Sequence, residues 1–221
     1  MIRKMALTAL ALALALAAGT AAAQVNVDDI VTFGRYEQDN DLTNGQEPIE
    51  WRVMEIEGDD AMLLSRYVLD VAAYNNGNMK TQWHKSTLRS WLNSEFYNTA
   101  FTDEEKARLV VKELETRYDS EKTADPVTLM TCPDALRIFH SKADRQGMST
   151  PYAKSKGVHQ SKKYGGYTHW WTRNPSWESY NKASYVAANG GTMKCGAVLT
   201  TGNFGVRPMI YLKVSEREAA Q

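Results

Sequence analysis

Several shortages set the first limits. The 221 residues contain only two cysteines, Cys132 and Cys195, so this is not a scaffold held by a dense disulfide framework. Charge of one sign is not in excess: 26 basic residues stand against 26 acidic ones. A nucleic-acid partner calls for a net basic surface, and this balance argues against one. No apolar run reaches the roughly 18 residues that a spanning helix needs. A glycine-rich phosphate loop, an HExxH metal pair and a G-x-S-x-G nucleophile elbow are all missing. There is no internal repeat and no regular alternation of strand and helix. No cofactor and no metal are expected.

What is present begins at the N-terminus. In "MIRKMALTALALALALAAGTAAAQ", Arg3 and Lys4 form a basic n-region, Met5 to Ala18 an apolar stretch, and Ala21-Ala22-Ala23 a small-residue cleavage site. This is the pattern of a secretory signal peptide over 1–23, with the mature chain starting at Gln24. The expected location is secreted or periplasmic, with no transmembrane segment in the mature chain. No cysteine follows the apolar stretch, so a lipid anchor is not expected. Losing Arg3 and Lys4 tips the mature chain slightly acidic. The partner expected of such a protein is a cell-envelope or extracellular ligand. An oxidising compartment permits a Cys132–Cys195 disulfide, which would contribute about 4 kcal/mol in the chain-entropy model. Two buried, unpaired thiols are the alternative.

Along the chain the reading is strands, then helices, then strands. "IVTFGRY" (30–36), "IEWRVMEIE" (49–57) and "DAMLLSRYVLDV" (60–71) read as strands, the last two forming an antiparallel hairpin across Gly58-Asp59. The 60–71 run is apolar enough to be buried on both faces. "STLRSWLNSEFY" (86–97) sets Leu88, Trp91, Leu92 and Phe96 on one helical stripe behind an N-cap at Ser86 or Thr87. Thr102 and Glu105 have capping-box spacing. "CPDALRIFH" (132–140) reads as a helix with Pro133 in its first turn and Leu136 and Phe139 on one side. Strands are expected at 110–114 and 127–131. Residues 141–167 read as a long surface loop with one helical turn near 151–155. Four late strands lie at 168–173, 183–191, 194–203 and 204–214. The fold class is α+β, mostly antiparallel strands with a few short helices. One domain spans 27–214, and 215–221 is a frayed tail.

"PIEWRVMEIEGDDAMLLSRYVLD", "STLRSWLNSEFYNTAFTDEEK", "WWTRNPS" and "GVRPMIYL" follow one another in that order. Together they resemble a bacterial family of secreted and surface domains of unknown function. The pattern is W-R-V, then S-x-L-R-x-W-L-N, then W-W-x-R-x-P, then G-V-R-P. The last third also resembles the C-type-lectin-like fold shared by lectin modules and formylglycine-generating oxidases. The calcium triplets of sugar-binding lectins are not here, because Glu47-Pro48 is followed by Ile49 and no Trp-Asn-Asp occurs. The close cysteine pair of the oxidases is not here either. The resemblance therefore implies a fold and not an activity.

The four histidines, His84, His140, His159 and His169, are far apart in sequence. The strongest candidate site is "THWWTRNPSW" (168–177). Alternation on a strand sends Trp170 and Trp171 to opposite faces, and the reading places Trp171 in the core and Trp170 outward or under the loop. Candidate ligand-binding residues are Trp170, Arg173, Trp177, Arg207 and Tyr152. Two arginines beside aromatic rings suit a carboxylate or a sugar. The bland alternative is structural arginines that bond loop carbonyls and cover tryptophan. The functional reading is an exported, non-catalytic binding or interaction module. The alternatives are a secreted enzyme with a site assembled from His140, His169 and carboxylates, or a structural envelope protein.

Overall fold

The computed structural model describes residues 25–77, 81–176 and 181–214, except for the side chain of Cys195. Residues 1–24, where the signal peptide is expected, Trp177 and residues 215–221 lie outside the described residues.

Two five-stranded sheets form the body. The first runs β1 (Ile30–Tyr36), β2 (Glu47–Glu57), β3 (Asp60–Ser65), β12 (Met209–Lys213), β7 (Val127–Thr128), and all its pairings are antiparallel. The second runs β10 (Thr192–Val198), β9 (Lys182–Val186), β8 (Trp170–Pro175), β11 (Gly205–Val206), β4 (Asp70–Val71), with a single parallel pairing, Gly205 opposite Trp170. A separate hairpin joins β5 (Lys112–Leu114) to β6 (Thr123–Asp125). The α+β, mostly antiparallel expectation holds.

The run at 60–71 is not one strand. It leaves the first sheet after Ser65, its Val68 N–H reaches Met148 O, and it enters the second sheet as β4. No glycine or proline marks that departure in "SRYVLD". In β3 the residues alternate between two cores: Ala61 and Leu63 join the larger cluster, Met62 and Leu64 the smaller. Ile210 and Met209 of β12 divide in the same way.

Helices close the outer side of each core. Ser86 caps α1 (Thr87–Trp91) by accepting from Arg89 N–H. A π-helical stretch (Leu92–Phe96) and α2 (Tyr97–Ala100) continue it. Leu88, Leu92, Phe96 and Ala100 are buried in the larger core. Trp91, expected on the same stripe, is only half-buried. After α3 (Asp103–Lys106), α4 (Cys132–Ile138) covers the smaller core with Ala135 and Phe139. Leu136, expected beside Phe139, is 45 % exposed. Residues 141–167 hold three short turns rather than one: α5 (Lys142–Arg145), α6 (Pro151–Ser155) and a 3-10 turn at Lys162–Tyr164.

Candidate functional site

Strand β8 carries the residues that sequence singled out. It is covered on both faces, so alternation separates two cores and not core from solvent. Trp171 enters the larger core, its ring 4.5 Å from that of Phe204, and its Nε1 donates to Ala72 O. Trp170 enters the smaller core and donates to Arg145 O. Both are fully buried, Trp170 against Arg145 and Gly147 of the 141–167 segment, so of the two placements expected for it the one under the loop is found and the outward one is not. Gly147 permits that burial, since a Cβ there would lie 2.9 Å from Trp170 Cδ1.

Arg207 is also buried, above the rings of Trp170 (5.3 Å) and Phe139 (5.9 Å), and it donates to Ser65 O and Arg66 O. Burial, with Arg52 nearby, pushes its guanidinium down to about 9. Arg173 shares no partner with it, so the expected pairing of the two guanidiniums does not form. Tyr152 sits on α6, edge-on to Tyr36 at 6.0 Å and beneath the Lys156 ammonium. It belongs to a separate network in which buried Asp70 accepts from Tyr36 Oη and pairs with Lys156. Cys132 is a buried free thiol 3.5 Å from Thr172 Oγ1. Its expected bridge partner has a side chain outside the described residues.

Arg173 is different. It lines two clefts, and Asp134 lines both with it. One cleft, of about 630 Å³, lies against the 115–122 loop and is closed by Thr131, Pro133 and Asn174. The other, of about 510 Å³, lies between β5 and the β2–β3 hairpin, with Ile56, Met62, Leu114 and Tyr211 in its walls. Arg173 is common to the walls of both. Its Nη1 donates to Leu129 O at 3.4 Å and its Nη2 to Glu115 O at 3.1 Å. Nε has no acceptor. Burial disfavours its charge and lowers the pKa. The carboxylates of Asp134 and Asp125 oppose this only at longer range.

The 115–122 loop is the element that sequence reading missed. It is held from behind by the turn at Trp83–Lys85. Asp119, whose side chain is fully buried, accepts from the His84 ring at Nδ1 and from His84 N–H. Glu121 lies 3.3 Å from Nε2 of the same ring. Gln82 donates to Tyr118 O and accepts from Ser120. Tyr118 sits at φ +69, in the left-handed region that costs a bulky residue on the order of 1–3 kcal/mol. The one available signal was a polar tract between two short strands, which is weak.

His140 and His169 do not come together. His140 lies beside Asp144, whereas His169 stacks on His159 at 5.1 Å and accepts from Ala188 N–H at Nδ1. Among the described residues no histidine ring is hydrogen-bonded to a serine, threonine or cysteine side chain. Glu37, Asp39 and Glu47 approach one another closely enough to share a cation, but their oxygens already accept backbone N–H groups of their own loop. No helix among the described residues is long and apolar enough to cross a membrane.

Comparison with known proteins gives one result. The model of a family described as a domain of unknown function (DUF6273) matches residues 58–214, and the chain belongs to that family. No curated protein and no solved structure matches it.

Proposed function

We propose that this member of the family is an exported, non-catalytic binding module that holds a cell-envelope or extracellular ligand in the trough formed by the two clefts over Arg173. The signal-peptide pattern supports export, with Gln24 as the mature N-terminus. The late tryptophan strand and the closing Gly-Val-Arg-Pro strand support a lectin-like module. The observation that carries the binding reading is the trough itself: two adjoining clefts of about 630 and 510 Å³ share a buried, charged floor residue. Concave sites of this size with a few polar groups are where ligands are held. Asp119 of the first cleft is bonded to the His84 ring, and among the described residues no hydroxyl or thiol is hydrogen-bonded to a histidine ring.

The test is co-sedimentation with purified peptidoglycan sacculi, alongside a panel of envelope glycans. The mature protein is expected to bind at least one of them. Ile56→Trp and Glu121→Trp each fill one cleft from a partly exposed wall position, and both are expected to abolish binding while the fold persists. Binding that ignores both fillings, or no binding at all, sinks the reading. Mass spectrometry of the exported protein is expected to show Gln24 as its first residue.

A further inference from the structure

Resting on the binding-module reading, we infer that the ligand is anchored by a carboxylate group, received at the junction of the two clefts by Arg173 with Asn174 and Thr116 beside it. The argument is a charge account of the trough. Its acids other than Glu121 are already matched. Glu55 takes the fork of Arg137, Glu57 and Asp60 take Lys112, and Glu115 takes Lys122. Asp119 takes His84, and Asp134 takes Thr131 and Arg137. Glu121, exposed at the rim of one cleft and 3.3 Å from His84 Nε2, is the exception, so among the described residues a cationic ligand finds no idle carboxylate beside Arg173. Arg173 is the reverse. A guanidinium carries five N–H donors, and among the described residues two carbonyls are its only acceptors. A buried cation without an anion is costly, and a planar fork favours a carboxylate over a neutral hydroxyl.

Two more donors line the same cleft. Thr116 Oγ1 is buried with no partner. Asn174 accepts Cys132 N–H at its Oδ1, which fixes its amide and leaves the NH2 end to donate. Arg207 provides the contrast: it is buried and lacks a carboxylate too, but two aromatic faces cover it and it lines neither cleft. Arg173 Nε and Thr116 Oγ1 are sealed from water. A carboxylate that reaches them must displace part of the 115–122 wall.

The experiment follows the Arg173 Nε–Hε resonance by NMR, and the melting temperature, during titration at millimolar concentration. The probes are N-acetyl-alanine against its amide, for a peptide source, and glucuronate against glucose, for a glycan source. At least one acid is expected to shift the resonance, raise the melting temperature and alter hydrogen exchange in 115–122, while its uncharged counterpart does none of these. Arg173→Met is expected to remove the response. Since that variant also loses two carbonyl contacts, Thr116→Val serves as a near-isosteric second variant, expected to weaken binding roughly tenfold with the fold intact. Equal responses to acid and uncharged counterpart, or no response to either acid, overturn the inference. Sacculus or glycan binding that survives that failure leaves the module reading standing. Carboxylate binding without envelope binding leaves the anion site standing and removes the envelope reading.

Discussion

At the scale of single residues, alternation placed the two tryptophans on opposite faces, as the structure has them. It could not tell which face meets water, because a strand with a core on each side has none. Arg173 shows the same limit: its type and position were legible, whereas its want of a counterion depends on where Glu55, Asp60 and Lys112 fall in space. His169 yields a prediction of the same grain. Burial is the main cause that lowers its pKa below the ordinary 6.5, and the neighbouring His159 adds to it. Its Nδ1 also accepts Ala188 N–H, which a proton there would displace. Tyr185 and Phe204 face the ring and carry no charge to compensate. The folded-state pKa is depressed, so the unfolded chain takes up the proton first. Stability is then complete above about pH 6.5 and falls as the pH drops below it. Denaturant melts from pH 7.5 to 5 are expected to show this loss in the native protein and a shallower loss in His169→Phe, which keeps the aromatic stack. Equal slopes would mean that His169 takes no part in the acid sensitivity.

At the scale of elements, caps and turns were the most legible features, since they are written in three or four neighbouring residues. Thr102 and Glu105 form the expected capping box at α3. Pro151 opens α6 where a helical turn was expected. Stripe phases were less so. In α4 the buried positions are Cys132 and Ala135, with Phe139 buried just past its end, and a small alanine, not the larger Leu136, faces the core. Along 87–100, which includes the π-helical stretch, burial follows Leu88, Leu92, Phe96 and Ala100, and Trp91 stays at the margin. Glu105 also does something that no local pattern encodes. One of its oxygens accepts Thr102 N–H, and the other accepts Gly34 N–H, which the β1 bulge releases from the sheet ladder. A single carboxylate thus caps a helix and ties it to a strand. Thr102→Ala is expected to cost about 1 kcal/mol, as cap removals do. Glu105→Ala is expected to cost about 2–3 kcal/mol, because hydrogen bonds to a charged group are the stronger kind. Urea denaturation of both variants checks the order, and equal costs would show that the Gly34 contact adds nothing.

At the scale of the whole molecule, the family match and the physical unit do not coincide. The match begins at residue 58, yet β1 and β2 lie before it and complete the first sheet, β2 pairing with β3 from Trp51–Ser65 to Glu57–Asp60. Sequence alternation showed these strands clearly. It could not show that their apolar faces enter the core shared with the second sheet, where Trp51 and Val53 join Trp171, Ala183 and Val206 in one cluster. Removing residues 25–57 takes Val31, Phe33, Tyr36, Ile49, Trp51 and Val53 out of that cluster. At about 1.5–3 kcal/mol for each large buried side chain, the loss is on the order of 10 kcal/mol. That is comparable with the whole net stability of an ordinary domain, about 5–15 kcal/mol. It also leaves β3 as a bare apolar edge, which invites aggregation. The fragment 58–214 is therefore expected to show no cooperative melt and poor NMR dispersion, whereas 24–214 melts in one step. A dispersed spectrum and a cooperative melt from 58–214 alone would show instead that β1 and β2 are an addition to a self-sufficient fold. The trough tells against that outcome, because Glu55, Ile56 and Glu57 at the end of β2 form one wall of it.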